Sequence, residues 1–141
     1  MSARSKARKR AIDILYGADL RESSINEALA TAAARAMQEP EREASWIYAR
    51  EIVQGITEHG DEIDELIETY SQGWALARMP IVDRAIIRIG IWEILFNGNV
   101  PDSVAISEAV EQANELSTED SGKFVNGILA RVAQTRPGAT V

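Results

Sequence analysis

The sequence predicts an all-α fold of about seven helices, arranged as two groups joined through a central hydrophobic helix. Three observations support this prediction. Apolar residues recur at intervals of three and four along most of the chain, which is the period of an amphipathic helix. No hairpin turn dipeptide lies between runs of alternating polarity, so strand signals are nearly absent. One stretch, from Trp74 to Asn97, is apolar around nearly its whole circumference, as expected of a helix wrapped by other helices.

The central helix is predicted within this apolar stretch. Pro80 suits its first turn, where the missing N–H costs nothing, and Asn97-Gly98 suits its end. Gly90 has no side chain, so another backbone can cross closely at that point. The stretch is too short to span a bilayer and is interrupted by charged residues. These are Asp83, Arg84, Arg88 and Glu93.

Four helices are predicted before the central one. The first covers about Ala3 to Asp19, the second about Ser24 to Met37 and the third about Glu41 to Glu58. Gly60-Asp61 breaks the chain and is predicted to cap the fourth. The first helix is predicted to bury a seam of mostly small residues, namely Ala7, Ala11, Ile14, Leu15 and Ala18.

Two further helices are predicted after the central one. The sequence Val-Pro-Asp at 100–102 turns into the sixth helix, which reaches about Leu116. The sequence Ser-Thr-Glu-Asp at 117–120 resembles a capping box for the seventh helix. That helix is predicted to run to about Gln134.

Length and composition predict one folded domain. The chain has 141 residues, of which 45% are hydrophobic and 26% charged, as in a globular protein. No internal repeat or low-complexity linker divides it, so we expect a single all-helical domain over 1–136 and a disordered tail over 137–141. The absence of Cys and of a signal-peptide apolar region favours a cytoplasmic location.

The charge distribution favours a nucleic-acid partner, although the net charge of −7 does not. The first ten residues contain five basic residues and no acidic one: Arg4, Lys6, Arg8, Lys9 and Arg10. Removing these five from the 15 basic residues leaves 10, which against 22 acidic residues give the rest of the chain a net charge of −12. A basic block on an acidic body is a candidate electrostatic footprint for phosphates, because the local field matters more than the total charge.

The helical period places Arg4 and Arg8 on one ridge of the first helix, followed by Ile12 and Tyr16. This ridge lies off the predicted apolar seam, so we expect Ile12 and Tyr16 to be exposed and able to contact a protein partner or a base. The alternative is an ordinary solvated helix start. Against that alternative, positive charge near a helix N-terminus opposes the macrodipole by roughly 0.3–1 kcal/mol per charge.

The seventh helix contains a second candidate contact. Phe124 is predicted at the edge of the buried seam, with Lys123 and Asn126 in its neighbourhood. A Phe in that position can stack on an unpaired base while the polar groups contact the base edge or the backbone. The alternative is that Phe124 completes the core.

No enzyme signature is present, and we predict no catalytic residue, cofactor or metal site. His59 is the only His and Cys is absent, so the common zinc sites lack ligands. No phosphate-binding Gly-rich loop occurs. A run of acidic residues is predicted to be the solvated face of the fourth helix: Glu58, Asp61, Glu62, Asp64, Glu65 and Glu68.

Four stretches of the chain together have a recognisable family pattern. They are residues 7–16, residues 74–93, residues 100–111 and residues 121–130. The last, Ser-Gly-Lys-Phe-Val-Asn-Gly-Ile-Leu-Ala, is the most specific. On these stretches the chain resembles the NusB family of bacterial transcription antitermination factors over nearly its whole length.

The resemblance implies a fold and a function. The fold would be two three-helix groups packed around the central hydrophobic helix. The function would be binding of the single-stranded boxA element in ribosomal RNA transcripts, together with NusE, a small-subunit ribosomal protein. Within an RNA polymerase antitermination complex, this binding would promote complete ribosomal RNA transcription.

The resemblance also implies particular contacts. RNA would be contacted by Arg4, Lys6, Arg8 and Arg10, by Arg88, and by Asp120, Lys123, Phe124 and Asn126. NusE would be contacted by Tyr16 and Asp83.

Two alternatives from other classes are open on the sequence alone. A similar helical domain precedes the methyltransferase domain of some ribosomal RNA methylases, so the chain could be a partner or detached domain of such an enzyme. The expected exposure of Ile12 and Tyr16 also allows a self-associating protein adaptor, for example a homodimer.

Overall fold

The computed structural model describes residues 2–71 and 74–135, and within these ranges the chain forms seven α-helices and no strand. The all-α prediction is therefore confirmed, while the predicted tail at 137–141 lies outside the described residues. Among the helices of these two ranges, none combines the length and apolar character needed to cross a bilayer. The helices are α1 (Ala3–Arg21), α2 (Ile25–Ala36), α3 (Glu43–Glu58), α4 (Gly60–Tyr70), α5 (Ile81–Phe96), α6 (Asp102–Leu116) and α7 (Glu119–Thr135).

The chain consists of two compact units, Met1–Glu58 and His59–Val141. In the first unit α1, α2 and α3 pack against one another, and a 3-10 turn at Pro40–Arg42 precedes α3. In the second unit the predicted central helix, α5, packs against α4, α6 and α7. Most of its residues are buried, as a helix apolar on nearly every side requires.

The predicted seam of α1 is confirmed, but the buried arc of this helix is wider than the seam. Ile12 was expected to be exposed, and that expectation is wrong because Ile12 is buried. The physical reason is that α1 packs against both α2 and α3, so two neighbours cover more of its circumference than one seam can fill.

The central helix fills only part of the apolar stretch and begins next to Pro80, as predicted. It starts at Ile81 with Pro80 as its N-cap, and a separate 3-10 turn lies at Leu76–Arg78. Met79 has an extended backbone, with ψ of 143°, because a residue that precedes proline is disfavoured in the helical region. The stretch that contains Trp74 is therefore an irregular segment that leads into α5.

Gly90 allows the close approach that the sequence indicates, although the neighbour is a side chain rather than a backbone. A Cβ atom at Gly90 would lie 2.6 Å from Cδ1 of Leu129 on α7. This distance is too short for two carbon atoms, so a side chain at this position would require Leu129 to move.

Two predicted caps are wrong in detail. Helix α4 begins at Gly60 after His59, with no side-chain cap, so Asp61 lies in its first turn instead of capping it. At α7 the cap is Thr118, whose Oγ1 accepts a hydrogen bond from the backbone N–H of Ser121 at 3.0 Å. The third helical residue is thus Ser121 and not an acid, so the reciprocal half of a capping box is missing.

Candidate nucleic-acid interface

The basic block of α1 is only partly available to a ligand. Arg4 and Lys6 are exposed and Lys9 is half-buried, whereas the side chain of Arg8 is only 3% exposed. Exposure therefore falls along the basic block from Arg4 to Arg8, as α1 packs against α2 and α3. We call Arg4, Lys6 and Lys9 the cationic face.

Tyr48 on α3 organises the ridge of Arg4 and Arg8. The guanidinium carbon of Arg4 lies 5.2 Å from the centroid of the Tyr48 ring, and that of Arg8 lies 6.0 Å from it. Both distances fall within the range of a cation–π interaction. The buried ring of Tyr48 thus orients two arginines of one ridge. Nothing in the sequence indicates this role, because Tyr48 is one of several apolar residues on α3.

Arg10 connects α1 to the beginning of α3. Its Nη1 donates to Oγ of Ser45 at 2.9 Å and to the carbonyl oxygen of Arg42 at 3.3 Å. Oγ of Ser45 donates to the same carbonyl at 3.0 Å. Arg10 was predicted as an RNA contact, and the structure places its guanidinium in this hydrogen-bond cluster within the first unit.

A groove on the α2 side of α1 has mixed charge. It is lined by Arg10, Arg35 and Arg42 together with Asp13 and Glu39. Burial raises the pKa of the Asp13 carboxyl above its ordinary value. With two carboxylates against three guanidinium groups, this groove is much less cationic than the N-terminus of α1.

The beginning of α7 presents the second set of predicted residues. Asp120, Lys123 and Asn126 are exposed, and Phe124 is half-buried. The ring of Trp74 lies against the ring of Phe124, with centroids 5.1 Å apart and a tilt of 59° between the planes. We call Trp74, Lys123, Phe124 and Asn126 the aromatic corner. Trp74 was not predicted as a site residue, because it seemed to belong to the buried central helix.

Asp83 is buried inside the second unit, with 1% of its surface exposed. Its Oδ2 accepts a hydrogen bond from Oγ of Ser121 at 2.9 Å. Oγ1 of Thr118 lies 3.1 Å from the same hydroxyl. These contacts join the first turn of α5 to the first turn of α7. Asp83 was predicted to contact NusE, and the structure places it beneath the surface, where it supports the start of α7.

Arg88 is also engaged inside the second unit. Its Nε donates to Oδ1 of Asp64 at 2.9 Å and its Nη2 donates to Oδ2 at 3.1 Å. This is the bidentate geometry in which an arginine and a carboxylate interact most strongly. The Arg88 side chain is 15% exposed, so its predicted RNA contact would have to compete with Asp64.

Tyr16 on α1 is exposed, as the sequence predicts, with 40% of its surface accessible.

The predicted solvated face of α4 carries mostly exposed acidic side chains, with Asp64 engaged by Arg88. Across residues 2–71 and 74–135, no group of three or more potential metal ligands is present.

Comparison with known proteins extends over nearly the whole chain. The sequence model of the NusB family matches residues 5–134. The transcription antitermination protein NusB of Leifsonia xyli subsp. xyli is 66% identical over 137 residues, which cover 97% of this chain and 95% of that protein.

Solved structures agree with this match. NusB of T. maritima is 33% identical with a TM-score of 0.80, and the match covers 97% of this chain and 93% of that one. NusB in a crystal structure with NusE and dsRNA is 27% identical with a TM-score of 0.81, over 96% of this chain and 99% of that one. The chain therefore belongs to the NusB family, whose members are transcription antitermination factors and not enzymes.

Proposed function

We propose that this protein binds the boxA element of nascent ribosomal RNA as a single strand, together with NusE. Within the RNA polymerase antitermination complex, this binding promotes complete ribosomal RNA transcription in the cytoplasm. The observation that carries the proposal is the concentration of five basic residues at the start of α1 on an otherwise acidic chain. The related NusB that was crystallised with NusE and dsRNA supports the parts of the proposal that concern NusE and RNA.

The cationic face supplies phosphate contacts in this proposal. Arg4 and Lys6 are exposed at the first turn of α1, where a phosphate can reach them without displacing a helix. Arg8 lies one turn after Arg4 on the same ridge and acts through Tyr48, whose ring it shares with Arg4. The exposed pair therefore contacts RNA, and the buried Arg8 keeps the ridge in place.

The beginning of α7 supplies contacts to the bases. Lys123 can contact a phosphate, while Asp120 and Asn126 can hydrogen-bond base edges or the 2′-hydroxyl that distinguishes RNA from DNA. Phe124 takes part in stacking, which is tolerant of sequence because every base has a π face. These side chains lie within two turns of one helix, so one short single-stranded segment can meet them together.

NusE would contact the exposed ring of Tyr16 on α1. For Asp83 the proposal is indirect, because a residue that is 1% exposed cannot form a surface contact unless the second unit opens. Asp83 instead acts by orienting the first turn of α7 through Ser121.

The competing functions are less well supported. The self-associating adaptor was suggested by the expected exposure of Ile12 and Tyr16. Because Ile12 is buried, only Tyr16 still supports that alternative. The Leifsonia relative is an antitermination protein matched over 95% of its own length, which favours antitermination over a methyltransferase partner.

The test is a titration of labelled boxA RNA, a scrambled strand and a boxA duplex, each with and without NusE. We expect the boxA strand to bind most tightly, NusE to strengthen binding, and affinity to fall with salt because phosphate contacts release counterions. Arg4→Ala should weaken binding. Arg35→Ala, which removes an exposed arginine of α2, is the matched control and should not.

The proposal is contradicted if boxA and the scrambled strand bind equally in the presence of NusE. It is also contradicted if the duplex binds more tightly than the single strand, or if Arg4→Ala and Arg35→Ala have the same effect.

A further inference from the structure

We propose that Trp74 is the main base-stacking surface of the aromatic corner and that Phe124 supports it from the side. This inference rests on the proposed RNA-binding function and assigns a binding residue that the sequence pattern did not indicate. Phe124 then becomes chiefly a positioning residue for the Trp74 ring.

The first argument is exposure. The chain has three tryptophans, of which Trp46 and Trp92 are buried, whereas Trp74 is 48% exposed. Phe124 is half-buried, so less of its ring is exposed to solvent. Of the two rings in the corner, the larger one is therefore the more accessible to an incoming base.

The second argument is the geometry of the pair. The centroids of Trp74 and Phe124 are 5.1 Å apart and their planes are tilted by 59°, so the rings are in contact at a separation that is favourable for aromatic pairs. In this arrangement the Trp74 ring covers part of the Phe124 ring. A base that enters the corner meets Trp74 without having to separate the two rings.

The third argument is that the backbone of Trp74 is fixed before any ligand binds. Its N–H donates to the carbonyl oxygen of Ser71 at 3.3 Å, and Oγ of the buried Ser71 donates to the carbonyl oxygen of Trp74. Downstream, Nη1 of Arg84 donates to the carbonyl oxygen of Leu76 at 3.3 Å. A segment whose backbone is held in this way loses little conformational freedom on binding, which favours affinity.

The surroundings favour an unpaired base over an apolar protein side chain. Lys123 and Asn126 are exposed on the same helix as Phe124. A lysine can neutralise the phosphate of the stacked nucleotide, and an amide can donate to and accept from a base edge. This combination of ring, cation and amide matches a nucleotide better than a hydrocarbon surface.

The experiment uses intrinsic tryptophan fluorescence of the full chain during titration with boxA RNA, while the anisotropy of labelled RNA reports binding independently. Because Trp46 and Trp92 are buried, we expect RNA-dependent quenching to come from Trp74 and to follow the anisotropy curve. Trp74→Phe should abolish most of the quenching while retaining much of the affinity. Trp74→Ala should weaken binding about 10-fold, and Phe124→Ala should weaken it less.

The control is Met37→Ala, which removes an exposed apolar side chain from the first unit and should change neither signal. Thermal unfolding of each variant checks that its fold is intact, and Trp74→Phe keeps the test open if Trp74→Ala does not fold. The inference is overturned if wild type binds RNA in a salt-dependent way without quenching, and if Trp74→Phe and Trp74→Ala bind as tightly as wild type. The proposed function would still stand after that result.

Two other outcomes are distinct. If Trp74→Ala weakens binding of NusE and leaves binding of RNA alone unchanged, Trp74 is a protein contact and the inference is wrong. If the wild-type chain binds no RNA with or without NusE, the proposed function fails and the inference fails with it.

Discussion

The start of α1 and the start of α7 are built in opposite ways. The cationic face of α1 consists of long charged side chains, and the neighbouring Arg8 and Arg10 are anchored on residues of α3. The aromatic corner is centred on two rings in contact, and a buried carboxylate and a hydroxyl lie beneath the start of α7. The first surface is suited to a phosphate backbone and the second to a base.

This difference separates two kinds of contribution to RNA binding. Contacts to phosphate are salt-dependent and almost indifferent to sequence. Stacking is short-range and nearly independent of salt, and the neighbouring amide and carboxylate add discrimination between bases. In both regions, however, exposed side chains depend on buried polar residues for their position. The comparison therefore predicts that buried residues determine stability and exposed residues determine affinity.

The largest expected effect is at Asp83. Asp83→Ala removes the acceptor of the buried Ser121 hydroxyl and leaves a cavity at the start of α5, so we expect a loss of about 2–4 kcal/mol in the free energy of unfolding. Urea denaturation measures this loss. Ser107→Ala, an exposed change on α6, is the control and should stay within about 0.5 kcal/mol of wild type. If Asp83→Ala is as stable as wild type, the hydrogen bond between Asp83 and Ser121 does not support α7.

The next effect compares two neighbouring residues of α1. Arg8→Ala should lower the free energy of unfolding by about 2 kcal/mol, because it removes a buried cation from the ring of Tyr48. Lys6→Ala should change it by less than about 0.5 kcal/mol, because Lys6 is exposed. For RNA binding by the folded variants we expect the reverse order, with Lys6→Ala weakening affinity more than Arg8→Ala. Equal stabilities of the two variants would remove the distinction between anchor and contact.

A smaller effect is expected at Arg88. Arg88→Ala breaks the bidentate pair with Asp64, which is only partly buried, so we expect a loss of about 1–2 kcal/mol in the free energy of unfolding. A double-mutant cycle with Asp64→Ala measures the coupling. If Arg88→Ala instead leaves stability unchanged and weakens RNA binding as much as Arg4→Ala, then Arg88 is a direct RNA contact.

The helical architecture and the cationic face were largely accessible from the sequence. Amphipathic periods locate helices because the period reflects burial on one side, and a run of basic residues is visible without coordinates. The helix ends were less accessible. Helix α4, for example, begins at Gly60 after His59 and has no side-chain cap, although Asp61 was predicted to cap it.

The roles of individual side chains depended on tertiary contacts that no local pattern contains. Ile12 and Arg8 are buried because α1 meets two helices at once, which a single helical seam cannot indicate. The apolar stretch predicts Trp74 in the core, whereas its ring is exposed, and its contact with Phe124 joins positions fifty residues apart in the chain. Asp83 appeared to be a surface carboxylate and lies beneath Ser121.

The most direct test of this account is the salt dependence of boxA binding for two double variants. Arg4→Ala with Lys6→Ala should make the negative slope of log affinity against log salt shallower by about 1.4, since each lost phosphate contact on a single strand removes about 0.7. Trp74→Ala with Phe124→Ala should weaken binding at every salt concentration and leave the slope unchanged. If the aromatic variant changes the slope as much as the cationic one, or the cationic variant leaves it unchanged, the division of roles between the two surfaces is contradicted.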